Sequence, residues 1–459
     1  MSDLSKIVKA YDVRGVVPDQ FDEAVARALG TAFVEMLRES GDNADQIVIA
    51  HDMRESGPGL SAAFARGANA AGAAVVSIGL ASTDELYYAS GSLGLPGAMF
   101  TASHNPAQYN GIKMCRAGAK PVGQDSGLAV VRQRAEALLA DLNAEADGPS
   151  RVETRDLLGA YAAHLRSLVD LSGIRPLKVI VDAGNGMGGY TVPAVLGDQV
   201  LPALPLEIVP MYFELDGSFP NHEANPLDPK NVVDLQNAIR EQGADIGVAF
   251  DGDADRCFII DEKGDPVSPS AITGLVARRE LAKFPGSTVI HNLITSHAVP
   301  EIITEAGGTP VRSRVGHSFI KAEMARTNAV FGGEHSAHYY FRDFWFADTG
   351  MLAAMHVLAA LGGQSLPLSE FAAEYERYSA SGEINSTVAD AAAKTAEVRA
   401  HFAGATFDEL DGLTVSLPDG AWFNLRASNT EPLLRLNVEA PKSDRMASLR
   451  DEVLAIVRS

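Results

Sequence analysis

One pattern recurs three times along the chain: an apolar run, a loop, a segment of helical period and a second apolar run. Gln46–Ala50 is an expected strand, Gly59–Ala71 a helix and Ala74–Ile78 a second strand. Lys178–Val181, the glycine-rich loop Gly184–Gly189, a helix near Tyr190–Leu196 and the run Leu206–Pro210 repeat it, as do Thr288–Asn292, Ser296–Glu305 and Thr309–Arg312. Units of this kind set their two strands parallel through a right-handed crossover. The tail breaks the pattern. Thr414–Leu417, Ala421–Arg426 and Leu433–Glu439 read as strands, Ala389–Ala393 as ordinary helix, and Ser443 as the cap of a closing helix with the stripe Met446, Leu449, Val453 and Val457. The fold class is therefore α/β: three similar α/β domains with mixed, mainly parallel sheets, plus a C-terminal α+β domain. The expected domains are 1–150, 151–262, 263–366 and 367–459, with boundaries near Asn143–Arg151, Glu262–Pro269 and Gly362–Pro367. A length of 459 residues suits three or four domains of ~150 residues or fewer.

Charge and cysteine usage narrow the function classes. The net charge of −21 repels nucleic acid and anionic membranes at long range, so neither is expected as a partner. The same field repels a phosphate ester, so a site for one must be locally basic. No run approaches the ~18–20 apolar residues of a membrane helix. Met1–Gly15 has no apolar signal core, and the two cysteines, Cys115 and Cys257, read as buried thiols of a reducing compartment. These features predict a cytoplasmic protein, and no obligate protein partner is evident.

Four segments carry chemistry. Thr101-Ala102-Ser103-His104-Asn105-Pro106 follows the apolar run Gly97–Phe100, which puts a hydroxyl beside a histidine at a strand end. Serine needs such a neighbour to act as a nucleophile, although an ordinary polar turn explains the segment equally well on local grounds. Asp251-Gly252-Asp253-Ala254-Asp255-Arg256 lies between the apolar runs Ile246–Phe250 and Cys257–Ile260. Its alternating carboxylates can converge on one hard cation, and unpaired they would repel one another. A calcium loop of the helix–loop–helix type needs glycine where Arg256 stands, and helical rather than strand-like flanks.

Gly333-Glu334-His335-Ser336-Ala337-His338 sets a carboxylate near a hydroxyl, a pairing suited to the vicinal hydroxyls of a sugar. The aromatic run Tyr339–Phe346 after it fits either a sugar pocket or core packing. Arg426-Ala427-Ser428-Asn429-Thr430-Glu431-Pro432, between two strands, offers a guanidinium, hydroxyls and successive N–H groups to a phosphate. A polar hairpin loop is the plain alternative.

In order and approximate spacing, the four segments resemble those of the α-D-phosphohexomutases, best the phosphomannomutase/phosphoglucomutase branch. The likeness runs over the whole chain, including Ala10-Tyr11-Asp12-Val13-Arg14-Gly15. It implies four domains around a central cleft and an intramolecular phosphotransferase that interconverts hexose 1-phosphate and hexose 6-phosphate. It implies that Ser103 carries the phosphoryl group, and that Asp251, Asp253 and Asp255 bind one Mg²⁺ per chain with an oxygen on Ser103. Glu334 and Ser336 would read sugar hydroxyls, with Tyr11 also against substrate. Arg426, Ser428, Asn429 and Thr430 would hold the phosphate that is not reacting. Arg14, His104, Lys113, Arg256, His317 and His338 match basic or proton-handling positions around the reaction centre, Lys113 or Arg14 being candidates for the base. A hexose 1,6-bisphosphate would be intermediate and activator, and small hexose phosphates the only partners.

Two positions depart from the family pattern. Asn292-Leu293-Ile294 stands where relatives carry a lysine against substrate phosphate, which makes His297 a candidate substitute, and His335 stands where close relatives often have methionine. Rival readings are phosphoglucosamine mutase, a dedicated phosphoglucomutase, and a sugar-phosphate binding protein without catalysis. Ser428-Asn429-Thr430 disfavours the first, and the retained Ser103, aspartates and Lys113 disfavour the last.

Overall fold

The computed structural model describes residues 3–141, 150–427 and 433–459. By contact the chain divides into two units: residues 1–267 with 336–369, and residues 268–335 with 370–459.

The first unit holds two sheets. In one, the strands run in the order Val13–Val16, Tyr109–Arg116, Gly97–Phe100, Gln46–His51, Ala74–Leu80, Val152–Thr154, and Lys120–Pro121 pairs with Tyr109–Arg116. Gln46–His51 lies parallel to both Ala74–Leu80 and Gly97–Phe100, whereas Tyr109–Arg116 is antiparallel to its neighbours, so the sheet is mixed. Gly97–Phe100 is buried along its whole length, which is why it reads as a continuous apolar run and not as an alternation. Helices Glu23–Glu39 and Gly57–Ala70 bury an apolar face of Leu29, Phe33, Leu60 and Phe64 against it. Each such side chain contributes roughly 1.5–3 kcal/mol by leaving water.

The second sheet has the order Pro266–Val267, Cys257–Ile260, Ile246–Phe250, Leu177–Asp182, Leu206–Met211. Its parallel pairs join Leu177–Asp182 to Ile246–Phe250 and to Leu206–Met211; Ile246–Phe250 and Cys257–Ile260 are antiparallel. The flanks of the acidic loop are thus strands, as the sequence indicated. The hairpin Tyr339–Phe341/Ala347–Asp348 also belongs to this unit. Tyr339, Tyr340, Phe341 and Phe344 are at most 2% exposed, so these four aromatics of the run are core.

In the second unit, Thr288–Asn292 runs parallel to Thr309–Ser313 and to Phe331–Gly333. The tail forms an antiparallel sheet in the order Ser379–Thr387, Leu433–Ala440, Trp422–Ala427, Leu413–Ser416, Thr406–Asp408, covered by helices Ala391–His401 and Ser443–Val457. Lys442 holds the N-cap position of the last helix, which corrects the expectation for Ser443; Ser443 is its first helical residue. All three expected parallel strand pairs are present, and the fold is the expected four-domain α/β architecture with mixed sheets. Both cysteines are buried thiols. Among the described residues no helix is long and apolar enough to cross a membrane.

Candidate active site

The first unit brings together the loops that follow Gly97–Phe100 and Ile246–Phe250. Ser103 follows the buried strand Gly97–Phe100, is 3% exposed and sits at φ +50°. That left-handed conformation is unfavourable for a residue with a Cβ and persists only where the surroundings impose it. Its N–H donates to Thr101 Oγ1 at 2.8 Å, and its Oγ donates to Asp251 Oδ2 at 2.7 Å. The two loops touch because position 252 has no side chain: a Cβ there would lie 2.4 Å from the Ser103 carbonyl oxygen.

Asp251, Asp253 and Asp255 are at most 1% exposed, and a carboxylate oxygen from each lies within 4.8 Å of the others. Lys113 Nζ reaches Asp253 Oδ2 at 2.6 Å and Asp255 Oδ2 at 2.5 Å. Thr83, opening the helix Thr83–Leu93, donates from Oγ1 to Asp253 Oδ2 at 2.6 Å. Arg256 chelates Asp251 through Nε at 3.0 Å and Nη2 at 2.9 Å. Asp253 Oδ1 and Asp255 Oδ1 are buried with no hydrogen-bond partner among the described residues. Leaving two carboxylate oxygens dry and unpartnered is costly, so the site is built for something that supplies positive charge. A hard, all-oxygen donor set fits Mg²⁺. Asp255 also comes within 4.8 Å of His338 and Asp348, which extends the acidic cluster.

Charge fixes the protonation states. Burial raises Asp251 to about 6 despite the guanidinium of Arg256. Burial opposes ionisation of Asp253 as well, but Lys113 outweighs it and holds that carboxyl below its usual range. Burial likewise works against the charge of Lys113 and Arg14. Asp253 and Asp255 raise the first, Asp12 raises the second, and both remain cations. As cations neither can accept a proton until it has first lost one, and the neighbouring carboxylates oppose that loss. Arg14 is held by Asp12 Oδ2 at 2.7 Å and by Asn105. His104 is pushed down to about 2 by burial and then by Arg256. Arg256 Nη2 donates to His104 Nδ1 at 2.6 Å, so the neutral ring carries its proton on Nε2; Nδ1 lies 3.2 Å from Ser103 Oγ. His338 is paired with Asp348 at 3.1 Å; burial opposes its charge, but Asp255 and then Asp348 raise its pKa.

Ser103, His104, Lys113, Arg14, the three aspartates, Arg256 and His338 are thus assembled in one unit. Tyr11 and Ser336, both half-buried, belong to that unit too. His317, Glu334 and Arg426 belong to the other. There Glu334 Oε2 accepts from Asn292 Nδ2 and from Gly316 N, each at 3.1 Å, and His317 opens the helix His317–Thr327 directly after that glycine. Arg426 faces Glu383 at 3.5 Å and Asp411 at 3.9 Å, and its buried Nη1 makes no hydrogen bond among the described residues. Ser428, Asn429 and Thr430 lie outside the described residues.

His297, the candidate substitute for the missing lysine, stacks on Trp422 at 4.8 Å, and burial lowers its pKa. It is a packed, neutral ring, which does not suit that part. Two residues of the site escaped the sequence reading: Thr83, and Arg54, whose guanidinium is bonded to the Ser103 loop. Asp52-Met53-Arg54, an acidic–basic pair directly after a buried parallel strand, was the available signal for the second.

The chain is similar along nearly its whole length to known proteins. Models of the phosphoglucomutase/phosphomannomutase family match in order: alpha/beta/alpha domain I over residues 5–138, domain II over 159–264, domain III over 268–378 and the C-terminal domain over 383–456. A protein described as "Phosphohexose mutases" from Xanthomonas campestris pv. campestris is 42% identical over 436 residues, 94% of each chain. A phosphomannomutase of Salmonella montevideo is 41% identical over 98% of each chain. Among solved structures, a phosphoglucomutase/phosphomannomutase family protein from Burkholderia thailandensis superposes with a TM-score of 0.87 at 32% identity, over 98% of this chain and 97% of that one. With four domain models in register and relatives above 40% identity along nearly its whole length, the chain belongs to the phosphoglucomutase/phosphomannomutase family.

Proposed function

We propose that the protein interconverts hexose 1-phosphate and hexose 6-phosphate through a phosphorylated Ser103, with mannose phosphates as the principal substrates and glucose phosphates also turned over. The observation that carries this is Ser103 Oγ, buried and 2.7 Å from Asp251 in a cluster with two unpartnered carboxylate oxygens. The mannose preference rests on relatives near 40% identity that are named phosphomannomutases.

The phosphoryl group leaves Ser103 Oγ for the free hydroxyl of a bound hexose monophosphate. That hydroxyl gives up its proton as the new ester bond forms and Ser103 Oγ takes one up as its bond to phosphorus breaks, so protons balance and a hexose 1,6-bisphosphate results. The bisphosphate turns end for end, and Ser103 Oγ takes the other phosphate while its own proton departs. Such transfer depends mainly on alignment and charge neutralisation. Arg14, Lys113 and Arg256 offset carboxylates of the site, and only together with a bound cation would they also offset an anionic substrate in a chain of net charge −21. Mg²⁺ held by Asp251, Asp253, Asp255 and an oxygen on Ser103 would neutralise the charge that builds on the transferring group. Neutral His104 orients Arg256 and contacts Ser103. Arg426 would anchor the distal phosphate in both orientations, with Ser428, Asn429 and Thr430, while Glu334 and Ser336 read the sugar. Tyr11, His317 and His338 complete the set: Tyr11 against substrate, the histidines handling protons.

The test is turnover of mannose 1-phosphate, glucose 1-phosphate and glucosamine 1-phosphate in one assay with Mg²⁺ and a trace of bisphosphate. The first two should be converted, mannose 1-phosphate best. A preference for glucosamine 1-phosphate would reassign the substrate, and no turnover of any would leave a binding protein.

A further inference from the structure

We infer that Arg54 is the positioning residue that fixes Ser103 for phosphoryl transfer, an inference that rests on the role proposed for Ser103. Both of its terminal nitrogens are spent on one loop. Nη2 donates to the carbonyls of Ser103 at 2.9 Å and Asn105 at 2.7 Å. Nη1 donates to the carbonyls of Pro106 at 2.9 Å and Tyr109 at 2.8 Å. Four carbonyls between positions 103 and 109 therefore converge on one planar fork, a geometry that an ammonium on a flexible stem cannot reproduce.

The anchor is itself rigid. Arg54 is 2% exposed and pairs through Nε with fully buried Asp52 at 3.3 Å, while its backbone N–H donates to Asp52 Oδ1 at 3.0 Å. The ring of Phe219 lies 5.2 Å from its guanidinium carbon, and Gly217 approaches so closely that a Cβ there would stand 2.8 Å from Arg54 Cα. Burying a guanidinium is expensive, and a sheet or core could be stabilised more simply by apolar packing. Its donors go instead to the loop whose first residue holds the left-handed φ of +50°. That conformation relaxes unless both sides are held. Thr101 Oγ1 holds the Ser103 N–H and Arg54 holds its carbonyl. The direction of Oγ toward Asp251 follows from this pair of contacts. The effect is on alignment of the reacting oxygen, not on the sites that hold the sugar or the distal phosphate.

The experiment compares wild type, Arg54→Lys and Arg54→Met by thermal unfolding, steady-state kinetics and single-turnover transfer from hexose 1,6-bisphosphate to Ser103. Both variants should fold. Turnover and the single-turnover rate at saturating bisphosphate should each fall about 100-fold, the cost of misplacing a reacting atom by ~1 Å. KM should stay within about threefold, because substrate contacts are untouched. Lysine should recover little, although it keeps the charge opposite Asp52. Full recovery by lysine, a loss confined to KM, or failure of both variants to fold would each overturn the inference and leave Arg54 a structural ion pair. Absence of transfer to Ser103 in the wild type would instead refute the proposed reaction on which the inference stands.

Discussion

Asp253→Asn removes one charge from the acidic cluster with almost no change of shape. Asp253 Oδ2 accepts from Lys113 Nζ and Thr83 Oγ1, each at 2.6 Å, and Oδ1 accepts from nothing described. Asp251, Asp253 and Asp255 face two cations, Lys113 and Arg256, so one negative charge is uncompensated without metal, and the variant removes that excess. Lys113 keeps Asp255 at 2.5 Å, so it is not stranded. Metal-free, the variant also loses the attraction of Lys113 that holds the Asp253 carboxyl below its usual range, so its unfolding in chelator is the zero point for the comparison. With Mg²⁺ the two should separate. At about 100 times its Kd, Mg²⁺ stabilises the wild type by ~2.7 kcal/mol through linkage. Outer partners of metal ligands are worth 10–100-fold in affinity, so a lost carboxylate ligand should cost at least ~100-fold, which removes that stabilisation at the same Mg²⁺ concentration. The assay is thermal unfolding and turnover across a Mg²⁺ titration, with chelator as the zero point. An unchanged Mg²⁺ midpoint, or an equal thermal shift in the variant, would refute the assignment of the cluster.

Three further outcomes are expected. Arg426→Ala should weaken binding of both the 1-phosphate and the 6-phosphate, with lysine restoring part, because a fork of donors is lost as well as a charge; weakening of a single isomer would show that the loop serves one orientation. Glu334→Gln should lower kcat/KM about 10- to 100-fold, since charge-assisted hydrogen bonds are worth roughly 1.5–3 kcal/mol, and equally for mannose and glucose phosphates; a loss confined to one sugar would place Glu334 at the 2-hydroxyl. His291 is pushed down to about 4 by burial, with Nδ1 2.8 Å from Thr295 Oγ1. Because its folded value is depressed from 6.5, the unfolded chain binds the proton more readily, so this residue's contribution to stability is complete above about pH 6.5 and is lost as pH falls toward 4. The loss is on the order of 3 kcal/mol at most, and His291→Gln should flatten the stability profile in that window.

What the sequence made legible was local. Gly97–Phe100, Ile246–Phe250, Cys257–Ile260 and Thr288–Asn292 are strands over the very residues expected, since strands buried on both faces are nearly unbroken apolar runs with polar stops. The loops at their ends therefore fell in the right places, and Ser103 and the aspartates with them. Contacts between positions far apart in the chain stayed hidden. Arg54 reaches Ser103 across 49 positions, and Thr83 reaches Asp253 across 170. Neither stands in a motif, and each looks like an ordinary polar residue after a strand or at a helix start. Ser379–Thr387 passed unnoticed as a strand because Ser-Ala-Ser-Gly has little β-propensity; its pairing with Leu433–Ala440 creates it, with a register shift between Ala380 and Glu383. His297 misled because an imidazole near a missing lysine suggests charge, whereas stacking on Trp422 makes it packing.

The central claim is that phosphate passes through Ser103. Wild type and Ser103→Ala, incubated with a hexose 1,6-bisphosphate and Mg²⁺ and then desalted, should be compared by intact mass and peptide mapping. One phosphoryl group should appear on the wild type, at Ser103, and none on a variant that folds normally and no longer turns over substrate. Phosphate on another residue, or a Ser103→Ala variant that still interconverts the hexose phosphates, would contradict the account.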